Sequence, residues 1–298
     1  MTTLAPRVVF ATRETELGAL LARHGTRGQV AFHLDARGQS FDVIEHRDTV
    51  QKRAIAEAKA AVPADWTYTE VCRADLNRFL FFPNDIVVAI GQDGLVANIA
   101  KYLESQPVIG LTPEPGASEG VLTRHAPSAL GDLLQRTAHA DCDIEQRAMV
   151  QAKVHGGDTL LGLNDLFLGH RSHQSARYDI RFGTVDEYQS SSGVIIATGT
   201  GLTGWARSVM AATGARYDFS PDAGQAAFFA REPWPSAHTG ADLRSGVIDR
   251  GHALSLTSRI NEGGVIFADG IEQDFLGFDW GTEVDISIAK RRMHLVAR

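Results

Sequence analysis

Five apolar residues in succession, Ile86-Val87-Val88-Ala89-Ile90, lead from Asp85 straight into Gly91-Gln92-Asp93-Gly94. A run that is apolar at every position has no face to give to water, so it predicts a strand covered on both sides, as in a parallel sheet. The residues after the glycines carry a helix-like pattern to Leu103, and Pro107-Val108-Ile109-Gly110-Leu111 reads as the next strand. Strand, glycine turn, helix and strand form one βαβ unit, which constrains the amino-terminal half to an α/β fold.

The segments before it fit the same scheme. Val8-Val9-Phe10 reads as a strand, and Leu17, Leu20 and Leu21 form a helical stripe within Thr12 to Arg23 that ends near His24-Gly25. Val30 to Leu34 reads as a second strand. Val50, Ala54, Ile55, Ala58 and Val62 are spaced for a helix over Asp48 to Val62, closed by Pro63. Thr112 to Gly120, with its prolines and glycines, reads as a loop whose place after a strand suits binding.

Beyond about residue 138 the pattern becomes strand after strand. The expected organisation is therefore a Rossmann-like α/β domain over 1–138 and a β-rich domain over 139–298. Val150, Ala152 and Val154 alternate with Gln151 and Lys153, and a β pattern resumes over Thr159 to Leu168. Gly156-Gly157-Asp158-Thr159 between them looks like a phosphate loop, but alternating flanks and no following helix make it a hairpin turn. Further strands are expected at Tyr178 to Phe182, Gly193 to Ala197, Leu254 to Ser258, Val265 to Ala268 and Val284 to Ile288. Lys290-Arg291-Arg292 reads as a solvated turn.

A chain of 298 residues with 44% apolar content has material for two cores. Its net charge of -7, with both signs scattered, gives no electrostatic footprint for nucleic acid or a membrane surface. No run approaches the ~20 apolar residues of a membrane helix, so the expectation is a soluble, cytoplasmic protein. Cys72 and Cys142, without CxxC spacing, are expected to be partly buried thiols rather than zinc ligands or a disulfide, and no metal site is expected.

Three motifs carry chemistry. Gly91-Gln92-Asp93-Gly94 between a buried strand and a helix points backbone N–H groups outward at the positive end of a helix dipole, which suits phosphate. Asp93 there is either a proton acceptor for an attacking hydroxyl or simply the helix cap. Thr198-Gly199-Thr200-Gly201-Leu202-Thr203-Gly204 follows an apolar strand and offers close backbone approach plus hydroxyls, suited to polyphosphate or ribose; the competing reading is a flexible turn. Asn164-Asp165 inside the apolar segment Leu163 to Leu168 is costly when buried unless hydrogen-bonded, and a ribose diol satisfies it, as does a strand-end turn. The GxGxxG fingerprint of hydride-transferring enzymes is missing after the first strand, where Ala11-Thr12-Arg13 stands.

The order of these motifs resembles the NAD kinase family, whose members carry a GGDG loop in an α/β amino-terminal domain. An Asn-Glu or Asn-Asp pair and a TPTGSTAY stretch follow in a β-rich, β-sandwich-like domain. Val265-Ile266-Phe267-Ala268-Asp269-Gly270 resembles the family's late strand ending in Asp-Gly. The resemblance implies an ATP-dependent kinase acting on the adenosine-ribose 2'-hydroxyl of NAD, with Mg2+ arriving on the nucleotide. It also implies a homo-oligomer, dimer or tetramer, that binds small nucleotides. Carried over residue by residue, Asp93 is the general base and Gly91 and Gly94 flank the phosphates. Asn164 and Asp165 hold a ribose, and Arg177 contacts substrate. Thr198, Thr200 and the stretch Thr203, Gly204, Trp205 to Ser208 line the adenine and ribose pocket, with Ser192 beside it.

The departures cluster on the acceptor side. Gln92 replaces the second glycine, Leu95 a threonine, Thr112 an asparagine, Ser192 an aspartate, and Gly204-Trp205 an Ala-Tyr pair. Two alternatives therefore accompany NAD kinase activity: a kinase of the same build for another nucleoside, sugar or lipid-like alcohol, and a catalytically silent dinucleotide sensor.

Overall fold

The computed structural model describes residues 5–114, 116 and 120–297. Their compact units are one within Met1–Tyr102, Gln106–Ile144 and His294–Arg298, and another of Leu103–Ser105 and Glu145–Met293.

In the first unit β1 (Val8–Thr12) leads to three helices, α1 (Glu16–His24), α2 (Arg27–Asp35) and α3 (Phe41–Ala60). Then come β2 (Tyr68–Cys72), β3 (Ile86–Ile90), α4 (Asp93–Ala100), β4 (Pro107–Leu111) and α5 (Leu130–Ala138). The strands lie in the order β2-β1-β3-β4, all parallel. Residues His294 and Leu295 add a further parallel pairing beside Pro107 and Val108 of β4. β3 is buried at every position, as its unbroken apolar run requires. On one sheet face Val8, Phe10, Val88, Ile90 and Ile109 pack against Ala54 and Ala58 of α3 and Leu130, Leu133 and Leu134 of α5.

Residues 27–35 are a helix, not the strand that Val30-Ala31-Phe32-His33-Leu34 predicts. Thr26 caps it, its hydroxyl accepting the Gln29 N–H at 3.3 Å. Apolar residues at 30, 32 and 34 mimic a two-residue period, but Phe32 is 77% exposed. Val30 and Leu34, one helical turn apart, meet Leu17 of α1 and Ile44 of α3 in a small core of their own. Gly25, at φ 83°, ends α1 tightly enough for α2 to follow at once.

The second unit is antiparallel. One sheet holds β8 (Ala176–Phe182), β9 (Val185–Ser191), β13 (Leu254–Ser258) and β16 (Glu283–Val296), with β5 (Ile144–Val154) against β16 and β6 (Thr159–Gly162) against β5. The other is ordered β12 (Ser245–Ile248), β11 (Ala226–Ala230), β10 (Val194–Thr198), β7 (Asp165–His170), β14 (Gly264–Ala268), β15 (Ile271–Gly277). Leu166, Leu168, Val194, Ile196 and Phe228 of this sheet share one core with Val150, Tyr178, Ile180, Leu254 and Ile286 of the other. α6 (Trp205–Thr213) covers the remaining face of β10 and β11 through Ala206 against Ala197 and Phe229.

Val154 to Thr159 is the hairpin turn joining β5 to β6. Lys290-Arg291-Arg292, by contrast, is not a turn but lies inside β16, where Arg292 donates to the carbonyls of Gln146 and Asp222. A strand edge satisfied by long cationic side chains has the same local sequence as a solvated turn. Among the described residues no helix is long and apolar enough to cross a membrane.

The helical assignment of 27–35 makes a sharp stability test. Leu34→Ala should cost about 2–5 kcal/mol in denaturant unfolding, whereas Phe32→Ala should change stability by less than about 0.5 kcal/mol. Equal losses would indicate that 32 and 34 share one buried face.

Candidate active site

At the end of β3, Gly91 donates its N–H to Leu111 O of β4 at 3.0 Å, Gln92 stands at the N-cap position of α4 without a side-chain cap bond, and Asp93 opens the helix. The Asp93 carboxylate accepts four hydrogen bonds. Val121 N–H reaches Oδ2 at 2.7 Å, while Leu122 N–H at 3.0 Å, Thr123 N–H at 2.8 Å and Thr123 Oγ1 at 2.9 Å converge on Oδ1. Burial pushes this carboxyl up, but the Thr123 donors, with the Val121 and Leu122 N–H groups, outweigh it and hold its pKa below the ordinary range.

The 121–125 segment lies against β4 because position 110 is glycine. A Cβ at Gly110 would come within 2.0 Å of Leu122 O, and Gly110 O accepts from both Arg124 and His125 N–H at 3.1 Å. Gly94 has no such constraint. A Cβ there meets nothing within 4 Å, so open space lies in front of it on the first turn of α4. Of the loop expected over Thr112 to Gly120, residues 115 and 117–119 lie outside the described residues.

In the second unit Asn164 sits in the turn between β6 and β7 and Asp165 is the first residue of β7, so the pair marks a strand start rather than a strand interior. Asp269, at the β14–β15 turn with φ 51°, organises it. Its carboxylate accepts Leu163 N–H at 3.0 Å, Asn164 N–H at 2.7 Å and Asp165 N–H at 3.2 Å, and its own N–H donates to Asp165 O at 3.1 Å. The Asp165 side chain has no hydrogen-bond partner among the described residues. Its own burial, and then the Asp269 charge, push its pKa up to about 7.

The threonine–glycine turn is tied to the same place. Thr198 donates its N–H to Asn164 O at 2.9 Å and its hydroxyl to Leu163 O at 2.5 Å, while that hydroxyl accepts Gly201 N–H at 3.2 Å. A Cβ at Gly201 would fall 1.9 Å from Asn164 O and one at Gly199 2.4 Å from Ser220 O. These two glycines are therefore accounted for by backbone packing. Buried Thr200 accepts from Arg147 Nη1 at 3.2 Å, and Thr203 Oγ1 donates to Thr200 O at 2.9 Å.

Thr203, Gly204, Trp205, Arg207 and Ser208, around the start of α6, are exposed beyond this turn. Trp205 stacks on Phe167 of β7, centroids 5.9 Å apart, with the Arg231 guanidinium 5.2 Å from its ring. Exposed Ser192 donates its N–H to the backbone carbonyl of Arg231 at 2.8 Å. Arg177 lies on β8 opposite Ser190 and is exposed, and among the described residues it makes no hydrogen bond to the Asn164–Asp165 turn.

Three elements of this arrangement have no counterpart in the sequence reading: the Val121–Thr123 strap, the part played by Asp269, and Arg147. The signals were present. A Gly-Val-Leu-Thr run follows the proline loop, an aspartate ends a buried strand at Ala268, and a single arginine interrupts the run Ala148-Met149-Val150 at its start.

The architecture is an α/β unit with a strand–GxDG–helix turn, joined in sequence to an antiparallel β unit whose turns are tied by a second aspartate. No family model matches the chain. Curated NAD kinases do. That of Chlorobaculum tepidum is 28% identical over 141 residues, covering 46% of this chain and 47% of the relative. That of Bordetella avium is 31% identical over 132 residues, covering 41% and 43%. The chain thus matches its curated relatives over somewhat less than half their length. The structure of an NAD kinase from Archaeoglobus fulgidus in complex with ATP has a TM-score of 0.59 and 17% identity, covering 98% of this chain and 93% of that one. The chain is thus similar in part of its sequence to curated NAD kinases, and it has the fold of the Archaeoglobus fulgidus one.

Asp93→Asn should test the strap. The amide turns one acceptor into a donor facing N–H groups, at a cost of about 1–3 kcal/mol in urea unfolding at pH 7. A carboxyl whose folded pKa is depressed adds stability above its unfolded value, near 3.8, and loses it as pH falls through the folded value. The gap between wild type and variant should therefore close in acid.

Proposed function

We propose that the protein transfers the γ-phosphoryl group of ATP to a ribose hydroxyl, with the adenosine 2'-hydroxyl of NAD as the first acceptor to test. The observation that carries this reading is the fastened GQDG turn in a chain related to NAD kinases. Gly94 is left open at a helix N-terminus, where N–H groups and the helix dipole favour phosphate. Gly91 and Gly94 are assigned to the phosphates, and Asn164 and Asp165 to the ribose of the acceptor.

Mg2+ would accompany the nucleotide. It usually binds through one or two carboxylates plus substrate phosphates, and among the described residues no three His, Cys, Asp or Glu side chains come together to hold an ion. A homo-oligomer remains part of the reading, to be measured by light scattering.

Asp93 is assigned the part the resemblance implies, proton acceptor for the attacking hydroxyl, with its carboxylate held at the start of α4 by the donors of residues 121–123. Gly204, Trp205 and Ser208 offer the exposed face for a nucleoside. Thr198 and Thr200 act behind it by fixing the turn, and Arg177 has no assigned contact.

A specific observation favours an acceptor other than NAD. Ser192 and Trp205 are both departures from the family pattern, and an indole lying against the Arg231 guanidinium is a different surface from a tyrosine. With labelled ATP and a panel of NAD, NADH and nucleosides, transfer to any ribose supports the proposal; binding without transfer to any acceptor replaces it with the sensor reading. Asn164→Ala should raise the acceptor KM on the order of 10-fold with kcat little changed, since a contact made in ground and transition states alike is lost. Ser192→Asp with Trp205→Tyr should raise kcat/KM for NAD relative to the other accepted compounds. An unchanged ratio in a well-folded variant would remove these positions from acceptor choice.

A further inference from the structure

Val30 and Leu34 anchor α2 in its small core, and another side of the helix borders a groove of about 510 Å3 shared with the end of α1. Four basic side chains line this groove. Arg23 and His24 come from the last turn of α1, His33 from the last turn of α2, and Arg37 from just beyond it. Phe32, left 77% exposed, adds a flat apolar surface to the lining.

Elsewhere in this unit Arg7 pairs with Asp85, Arg27 with Glu45 and Lys59 with Glu70. Among the described residues none of the four groups around the groove has a carboxylate partner. They crowd one another instead. The rings of His24 and His33 lie with centroids 4.2 Å apart, and Arg37 donates through Nη1 to His33 Nδ1 at 3.1 Å and to His33 O at 3.0 Å. A guanidinium only donates, so Nδ1 accepts and the neutral His33 ring carries its proton on Nε2. His24 Nε2 is shielded from water without a hydrogen-bond partner among the described residues. Partial burial, then the charges of Arg37, His24 and Arg23, lowers the pKa of His33. The helix dipole favours cations in the last turns of α1 and α2, which accounts for their place along each helix but not for their convergence on one groove.

We propose that this groove is a second ligand site, for a small phosphate ester that carries a flat ring, of which a mononucleotide is the simplest case. A phosphate dianion offers acceptor oxygens to guanidinium forks and imidazole N–H groups at once, and a ring laid on Phe32 gains stacking area. The groove lies within the ~300–1,000 Å3 of small-molecule pockets, more than a bare phosphate fills. It shares no residue with the GQDG turn, and it stands whether or not the protein transfers phosphate.

The test titrates the full chain with AMP, inorganic phosphate and adenosine. It follows the imidazole resonances of His24 and His33, assigned from His24→Gln and His33→Gln, beside the heat of binding. AMP should shift both imidazoles saturably and raise the titration midpoint of His33, since a bound anion cancels the charges that lower it. Arg23→Gln with Arg37→Gln should weaken this binding on the order of 10–100-fold. Phe32→Ala should weaken AMP by roughly 3–10-fold and leave phosphate unchanged. Heat of AMP binding without movement of these resonances places the nucleotide elsewhere and overturns the site. Adenosine binding as well as AMP, or undiminished AMP binding in the double arginine variant, overturns it too, and wild-type AMP affinity in Phe32→Ala overturns the part given to the ring. If the double variant fails to fold, Phe32→Ala and the wild-type His33 titration decide.

Discussion

Backbone N–H groups gathered by an aspartate recur as the fastening device of this protein. Asp93 collects those of Val121, Leu122 and Thr123, and Asp269 those of Leu163, Asn164 and Asp165. A turn exposes unpaired N–H groups that a sheet cannot satisfy, and an ionised carboxylate is among the strongest acceptors for them. Each aspartate thereby converts a segment of irregular chain into a fixed surface, and each such surface carries candidate site residues.

The glycines divide along the same line. Gly110, Gly199 and Gly201 lie where a Cβ would strike a carbonyl of a neighbouring segment, so the fold itself requires them. A Cβ at Gly94 would meet nothing within 4 Å and one at Gly204 only Gly201 O at 3.6 Å, so packing does not require these two glycines. A glycine-rich motif is thus only partly about ligand, and sequence does not sort its members.

Most strands were legible because burial on both faces or on alternate faces leaves a mark at every residue. β3, β4 and β13 lie where their patterns place them, and the GQDG turn joins strand to helix as its spacing predicts. The helix at 27–35 was misread because three apolar residues two apart satisfy the strand period even when the middle one, Phe32, faces water. β16 was cut short because its cationic stretch carries no apolar signal. The site was legible as residue types but not as roles. Asp93, Asp165 and Asp269 are alike in sequence, and the number of donors around each separates them. That count depends on residues up to 106 positions apart.

Where residues 294 and 295 lie has a bearing on how the molecule is made. They pair in parallel with Pro107 and Val108, Val296 packs in the core of the first unit, and its carbonyl meets His125 Nε2 at 3.1 Å. While the chain is being synthesised, that edge of β4 stays without its neighbour until the whole intervening segment has left the ribosome, a wait on the order of ten seconds or more at ~5–20 residues per second. An uncovered parallel edge is a template for wrong partners, so the nascent amino-terminal unit passes through an interval of exposure that ends only when its own distant strand arrives.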